Sequence, residues 1–279
     1  MGGLQTMNKE NWQVPNYAAN ELNDRSRNKY CVCIPVINEG EKIQKQLKKM
    51  AAISSNIDII ILDGGSTDNS LNLQFLEGLG IKTLLVKKDS GKLSAQLRMG
   101  FAYALEQGYE GVITVDGNNK DSVESIPSFI EKLDEGYDFV QGSRYVPGGS
   151  EINTPLSRKL AIKLIHAPVI SLIAGFRYTD TTNGFRAHSR SFLLDPKVQP
   201  FRNIFSTYEL LAYLSVRSSR LGYRVIEIPV TRAYPKGKIP TKISPLRGNM
   251  LLMKILFNLA LKKYNPESNV EYQKGAQSL

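Results

Sequence analysis

From Tyr30 to Gln141, short and nearly all-apolar runs alternate with longer segments whose apolar residues recur every three to four positions. The runs Tyr30–Ile37, Ile57–Leu62, Lys82–Val86, Val112–Val115 and Asp138–Gln141 are brief and rich in β-branched residues, which predicts strands. The first is apolar almost throughout, as a strand covered on both faces requires, and Pro35 falls near its end, where a missing N–H is tolerated. Between the runs, Ile43, Leu47 and Met50 fall at i, i+4 and i+7, Leu93, Leu97, Phe101 and Leu105 step by four, and Ile126, Phe129 and Leu133 share a face. Each spacing predicts a helix with one buried side. Another helix, carrying Leu71, Phe75, Leu76 and Leu79, takes Ser66 or Asp68 as its cap. Strands alternating with helices predict an α/β fold with a mostly parallel central sheet and helices on both faces.

After Pro147-Gly148-Gly149 the rhythm changes. A long helix or helix pair over 156–174, a loop from Asp180 to Arg186, a helix around 207–221 and a β-branched segment from Tyr223 to Val230 make up a second half. No stretch rich in Gly, Pro or Ser divides the halves, so residues 29–263 read as one domain. Residues 1–28 are polar, rich in Asn and without period, which predicts a flexible or loosely docked extension, and 264–279 read as a polar tail.

The β-branched run ending at Val115 stops on Asp116, followed by Gly117 and Asn118, residues that turn a chain sharply. The same grammar occurs where Ile57–Leu62 runs into Asp63-Gly64-Gly65-Ser66-Thr67-Asp68. Two strand-end aspartates then face one crevice beyond the carboxyl ends of the strands, where ligands bind in open α/β sheets. The formal net charge of +10 favours anionic partners: nucleotides, phosphates, anionic lipid or nucleic acid. Cys31 and Cys33 are the two cysteines, share one strand face and are read as buried, reduced thiols of a cytoplasmic protein; with His166 and His188 as the only histidines, a zinc site is not expected. Gly91-Lys92 lacks the earlier glycine and the following Ser/Thr of a phosphate-binding loop. The longest stretch free of formal charge, Leu164–Phe176, is thirteen residues, against the roughly 20 that span a bilayer. No transmembrane helix or signal peptide is expected. Leu246–Lys263 has the pattern of an interfacial amphipathic helix, for which the bland alternative is packing on the domain's own core or on a partner subunit of a homo-oligomer.

Pro35-Val36-Ile37-Asn38-Glu39, Asp63–Asp68, Asp116-Gly117-Asn118, Gly142-Ser143-Arg144-Tyr145 and Asn183-Gly184-Phe185-Arg186 occur in the order seen in family 2 glycosyltransferases of the GT-A fold. Leu221–Val225 and Thr241-Lys242 most resemble the dolichyl-phosphate mannose synthase branch, and the likeness runs from about residue 30 to 245. The resemblance implies a GT-A-type, Rossmann-like domain with a nucleotide half (about 29–147) and an acceptor half (about 148–263). It also implies inverting transfer from a nucleotide diphosphate sugar to a polyprenyl phosphate, another phosphate-bearing acceptor or a membrane-linked glycan. Pro35, Glu39, Asp63, Arg98 and Asp116 then line the nucleotide-sugar site, while Asp180, Arg186 and Lys242 lie on the acceptor side. Asp116, Arg144 and Glu209 are the catalytic candidates, with Glu209 or Asp180 as base for a hydroxyl acceptor. Mg²⁺ or Mn²⁺ is expected on Asp116 and Asn118, although the usual second carboxylate is Asn118 here and Lys120 could supply part of the charge. Gly64 likewise stands where the common motif has an acid. The expected location is cytoplasmic, peripheral to the inner face of a membrane, and nucleic acid is not an expected partner. The alternatives are a nucleotide-sugar-binding homologue with weak or no transfer, and a GT-A-like nucleotidyltransferase.

Overall fold

In the computed structural model, which describes residues 9–53, 56–236 and 245–267, a 3₁₀ turn at Lys9–Asn11 precedes an edge strand. In chain order, β1 is Tyr17–Glu21, β2 Tyr30–Val36, β3 Asp58–Asp63, β4 Thr83–Lys87 and β5 Gly111–Thr114. They are followed by β6 (Phe139–Ser143), β7 (Ser150–Ile152), β8 (Arg186–Ser189), β9 (Val225–Pro229) and β10 (Thr231–Ala233). The main sheet runs β1-β4-β3-β2-β5-β8-β6-β9. β2, β3, β4 and β5 pair in parallel, as do β6 and β9. β8 lies antiparallel between β5 and β6, and β1 antiparallel along β4. The mostly parallel sheet is therefore as expected, with one reversed strand through its middle.

The helices cover both faces. α1 (Glu41–Met50), α2 (Leu73–Gly78) and α4 (Ile126–Asp134) present Ile43, Leu47, Leu76, Ile126 and Phe129 to one core. α3 (Leu93–Glu106) and α8 (Glu209–Arg220) present Leu97, Phe101, Leu210 and Leu214 to the other. Because Ile59 to Leu62 of β3 are wholly buried on both faces, the run has no polar alternation for water to meet. Cys31 and Cys33 are buried free thiols in the second core, as their shared face predicts. The 156–174 segment is a pair, α5 (Leu156–Ala161) and α6 (Ala167–Ala174), joined by a π turn over Ile162–His166. Pro168 explains the join, since it has no N–H to continue the regular ladder and its ring crowds the carbonyl four residues back. α7 (Arg190–Leu194) follows β8, and α9 (Pro245–Ala260) closes the second core with Ile255, Leu256 and Leu259.

Two expectations about the ends need correction. The described part of the N-terminal extension is built into the fold: β1 runs from Tyr17 opposite Lys87 to Glu21 opposite Thr83. Upstream, Trp12 stacks on Phe201 at 4.1 Å. Downstream, the buried Asp58 carboxylate draws hydrogen bonds from Asn28 N and Nδ2, both at 2.9 Å. An edge strand with one wet face shows no apolar run, which is why this one reads as extension. At the other end the expected polar tail starts late, because Tyr264 is buried against Phe205. Among the described residues no helix is long and apolar enough to cross a membrane.

Candidate active site

The strand order reverses between β2 and β5, since β3 and β4 extend to one side of β2 and β5 lies on the other. A crevice opens at the carboxyl ends of such a pair. Three turns meet there. A β-carbon on Gly117 would stand 3.1 Å from the Pro35 carbonyl, and the Gly64 N–H donates to the Val36 carbonyl at 2.8 Å. Gly184, arriving at the start of β8, sits so close that a β-carbon would stand 2.7 Å from Asp116 Oδ1. Thr114 Oγ1 donates to the Gly184 carbonyl at 2.7 Å, which fixes that approach.

Asp116 is the centre of a charge cluster. Arg232, on β10, donates from Nη2 to Asp116 Oδ2 at 2.9 Å and from Nη1 to Asp121 Oδ2 at 2.5 Å. β10 is held beneath the Asp116 turn by Ala233 N–H to Lys120 O at 2.7 Å and Ser122 N–H to Thr231 O at 2.9 Å. Burial would weaken the Arg232 guanidinium as an acid-base cation, but Asp121 and Asp116 hold its pKa well above the ordinary value. Burial and, second, Arg232 lower the Lys120 ammonium, which stands over the Tyr234 ring at 5.1 Å. Tyr234 Oη accepts from Arg158 Nη1 at 3.0 Å. Burial raises its phenol, yet Arg232 and Arg158 bring it below its usual range. Beside this cluster Arg144 donates from Nε and Nη2 to the two oxygens of Asp180 at 2.6 and 2.8 Å, a buried bidentate pair. Arg144 Nη1 and Asp121 Oδ1 are buried with no hydrogen-bond partner.

The structure brings Pro35, Asp63, Asp116, Asn118, Arg144 and Asp180 to or beside this crevice, and gives several of them other work. Asp63 caps its own turn, with Oδ1 accepting from Gly65 N, Ser66 N and Ser66 Oγ. Glu39 lies 3.6 Å from the Lys42 ammonium. Asn118 offers its amide nitrogen, not its oxygen, to Asp116 at 3.4 Å, and its oxygen takes the Lys120 N–H at 3.3 Å. Of the two expected metal ligands, the Asn118 oxygen is thus turned to the Lys120 N–H and the Asp116 carboxylate remains. At Gly64 the amide of Gln96 fills the space a side chain would take: a β-carbon there would stand 2.9 Å from Nε2.

Three further expectations are corrected. Arg186, expected at the acceptor, is sealed inside and donates to Asn183 O, Thr181 O, Leu211 O and Ser215 Oγ, clamping the Asp180 loop to α8. Lacking an ion-pair partner there, its pKa is lowered by burial to about 10. Arg98 is buried and spends its Nη1 on the Gln13 carbonyl, so it ties down the N-terminal segment. Glu209 accepts from Thr207 N at 2.7 Å and from Thr207 Oγ1, a turn contact at the start of α8. Lys242 lies outside the described residues, as does Thr241. Sequence reading missed Arg232, Arg158 and Tyr234; an arginine directly after the β-branched pair Val230-Thr231 was the available signal for the first.

Among the described residues no three His, Cys, Asp or Glu side chains form a metal-holding group. The donor set suits a divalent ion held by one carboxylate, with diphosphate oxygens and water completing its shell. Asp116 is the member of the cluster open enough for this, its side chain 25% exposed against none of Asp121.

Comparison with known proteins bears on what the cluster is for. The model of "Glycosyl transferase family 2" matches residues 31–197. The chain is 28% identical over 201 residues to an undecaprenyl-phosphate mannosyltransferase of Micrococcus luteus, covering 71% of this chain and 81% of that protein. It is 27% identical over 203 residues to a polyprenol monophosphomannose synthase of Mycolicibacterium smegmatis, covering 72% and 76%. Among solved structures, glucosyl-3-phosphoglycerate synthase from Mycobacterium tuberculosis in complex with Mg²⁺ and UDP superposes with a TM-score of 0.63 at 16% identity, over 87% of this chain and 82% of that one.

Proposed function

The chain belongs to glycosyl transferase family 2 and is a nucleotide-sugar glycosyltransferase of GT-A fold; from that premise we propose that it transfers its sugar, with inversion, to the phosphate of a polyprenyl phosphate. One observation carries the choice of a phosphate acceptor. The carboxylates expected to serve as base are already engaged: Asp180 by Arg144, Glu209 by Thr207. A hydroxyl nucleophile needs a base to take its proton, whereas a phosphate is already anionic and needs cations to receive it. Lys120 and Arg158 converge on Tyr234 with no carboxylate partner among the described residues, beside the ion-paired Arg144 and Arg232. Named relatives acting on undecaprenyl phosphate and polyprenol support the same class.

The donor diphosphate is assigned to the crevice between the β2 and β5 ends. Negative charge builds on the leaving phosphate during transfer, so cations near Asp116 stabilise that state more than the ground state. Structural neighbours of the same fold were crystallised with Mn²⁺ or Mg²⁺ and UDP, and here Asp116 would hold such an ion. When bound, the ion supplies charge neutralisation at the diphosphate. Arg232 occupies one Asp116 oxygen meanwhile, and Asp121 keeps that guanidinium in place.

The test is transfer from a panel of labelled nucleotide sugars to a short-chain polyprenyl phosphate, the matching polyprenol and a glycan. Product on the phosphate alone is expected. Transfer to the hydroxyl acceptors with none to the phosphate would sink the reading.

A further inference from the structure

The helix that borders the site is bare on its other side. Five large hydrophobic side chains on 156–172 and four on 250–261 stand exposed, nine of the thirteen found among the described residues, with Leu164 at 70%, Leu172 at 81% and Phe257 at 62%. The opposite faces of the same segments, through Ile162, Ile170, Ile255 and Leu259, are buried in the protein. Helices apolar on both sides call for apolar cover on both. α6 and α9 pack on each other, which brings the two bare stripes into one neighbourhood.

Charge decides what covers it. Residues 156–179 contain Arg158, Lys159, Lys163 and Arg177, residues 250–266 contain Lys254, Lys262 and Lys263, and neither stretch has an Asp or Glu. From outside, Glu151 pairs with Lys159. A second copy related by a two-fold would set these cations against themselves, whereas anionic lipid complements them and accepts the apolar side chains between them. α5 also connects this surface to the chemistry. Its Arg158 reaches Tyr234 at 3.0 Å, and Lys163, on the π turn, stands over the Tyr145 ring next to Arg144.

We propose that the α5–α6 and α9 face rests on an anionic bilayer, and that the acceptor's phosphate enters the site along α5 while its chain stays in the membrane. The inference rests on the acceptor class assigned above and adds the surface and the path. The full chain should float with vesicles containing phosphatidylglycerol at low salt, and much less with phosphatidylcholine alone. Leu164→Glu/Leu172→Glu and Met253→Glu/Phe257→Glu should each reduce vesicle partitioning at least tenfold. Both variants should keep their nucleotide-sugar affinity by calorimetry, which reports folding, and their turnover on a short, water-soluble isoprenyl phosphate. Turnover on a long-chain acceptor embedded in vesicles should fall at least tenfold. Wild-type protein that stays at the bottom of the gradient, variants that float unchanged, or a wild-type dimer that the variants split without any vesicle binding would each overturn the proposal. Flotation with no transfer to either phosphate would support the lipid contact and count against the acceptor class, so the two readings fail separately.

Discussion

The two walls of the crevice are built on different physics. The wall of turns after β2 and β3 is laced by side-chain and backbone bonds: Asn38 N to Ser66 Oγ at 3.0 Å, Thr67 N to Asn38 Oδ1 at 2.8 Å, Gly40 N to Asp68 Oδ2 at 2.8 Å. The facing wall is laced by charge, through Arg232 with Asp116 and Asp121, and Arg144 with Asp180. Losing one bond of the first kind costs roughly 1 kcal/mol, while stripping one partner from a buried pair costs about 3–5 kcal/mol because the other charge stays behind. The first wall fixes a shape, which under the proposed function meets the nucleotide. The second stores cations that a phosphate can use without paying to assemble them.

The comparison breaks most visibly at Asp116. Asp116→Asn should lower kcat/KM by about 10²–10³ with the fold intact by circular dichroism, since the ion that would neutralise the leaving phosphate loses its carboxylate ligand. Full activity would remove Asp116 from the chemistry. Next comes the buried pair: Asp180→Ala should destabilise the protein by about 3–5 kcal/mol in urea titrations, and Arg144→Met/Asp180→Leu should recover most of it. Equal instability of single and double variants would mean that the pair is not what the wall depends on. Third, Arg232 shares Asp116 with any incoming ion. Arg232→Met should therefore tighten donor-free Mn²⁺ binding by about tenfold and shrink the mutual enhancement between metal and donor, an enhancement that is reciprocal by linkage. Calorimetric titration of Mn²⁺ with and without donor reads both quantities, and unchanged values would show that guanidinium and ion do not compete.

The smallest effect lies away from both walls. Burial, then Arg186, lowers the His188 imidazole to about 3, and the ring sits among Phe101, Phe139 and Phe192. Its folded pKa lies below the unfolded value of about 6.5, so its neutral form is kept at no cost above that pH, and stability is lost as pH falls from about 6.5 toward 3. Between pH 7 and 5.5 the loss should be roughly 1 kcal/mol. His188→Phe should flatten the slope of Tm with pH in that window, and an unaltered slope would assign it elsewhere.

How legible this was in the chain differs between the two walls. β2, β3 and β5 are read from apolar runs because both their faces are buried, and Asp116 stands out because a β-branched run ends on it. β8 is not legible: Arg186-Ala187-His188-Ser189 has neither alternation nor branching, and its place is set by neighbours on both sides. The motif containing Arg186 identifies a loop, but spacing says nothing of whether its guanidinium faces solvent or three carbonyls. Arg232 was hidden for the opposite reason. It lies on a three-residue strand and acquires its role from Asp116 and Asp121, more than a hundred residues away in sequence.

β1 has a consequence for how copies of this protein stay apart. The unit matched by the family begins at residue 31, and its outermost parallel strand is β4, whose free edge β1 occupies. A chain begun at residue 29 would offer that edge to any extended segment it met, including its own siblings. The N-terminal segment therefore serves as cover: a short strand with little interior value of its own, which occupies the β4 edge of the sheet and leaves it no longer open as a template.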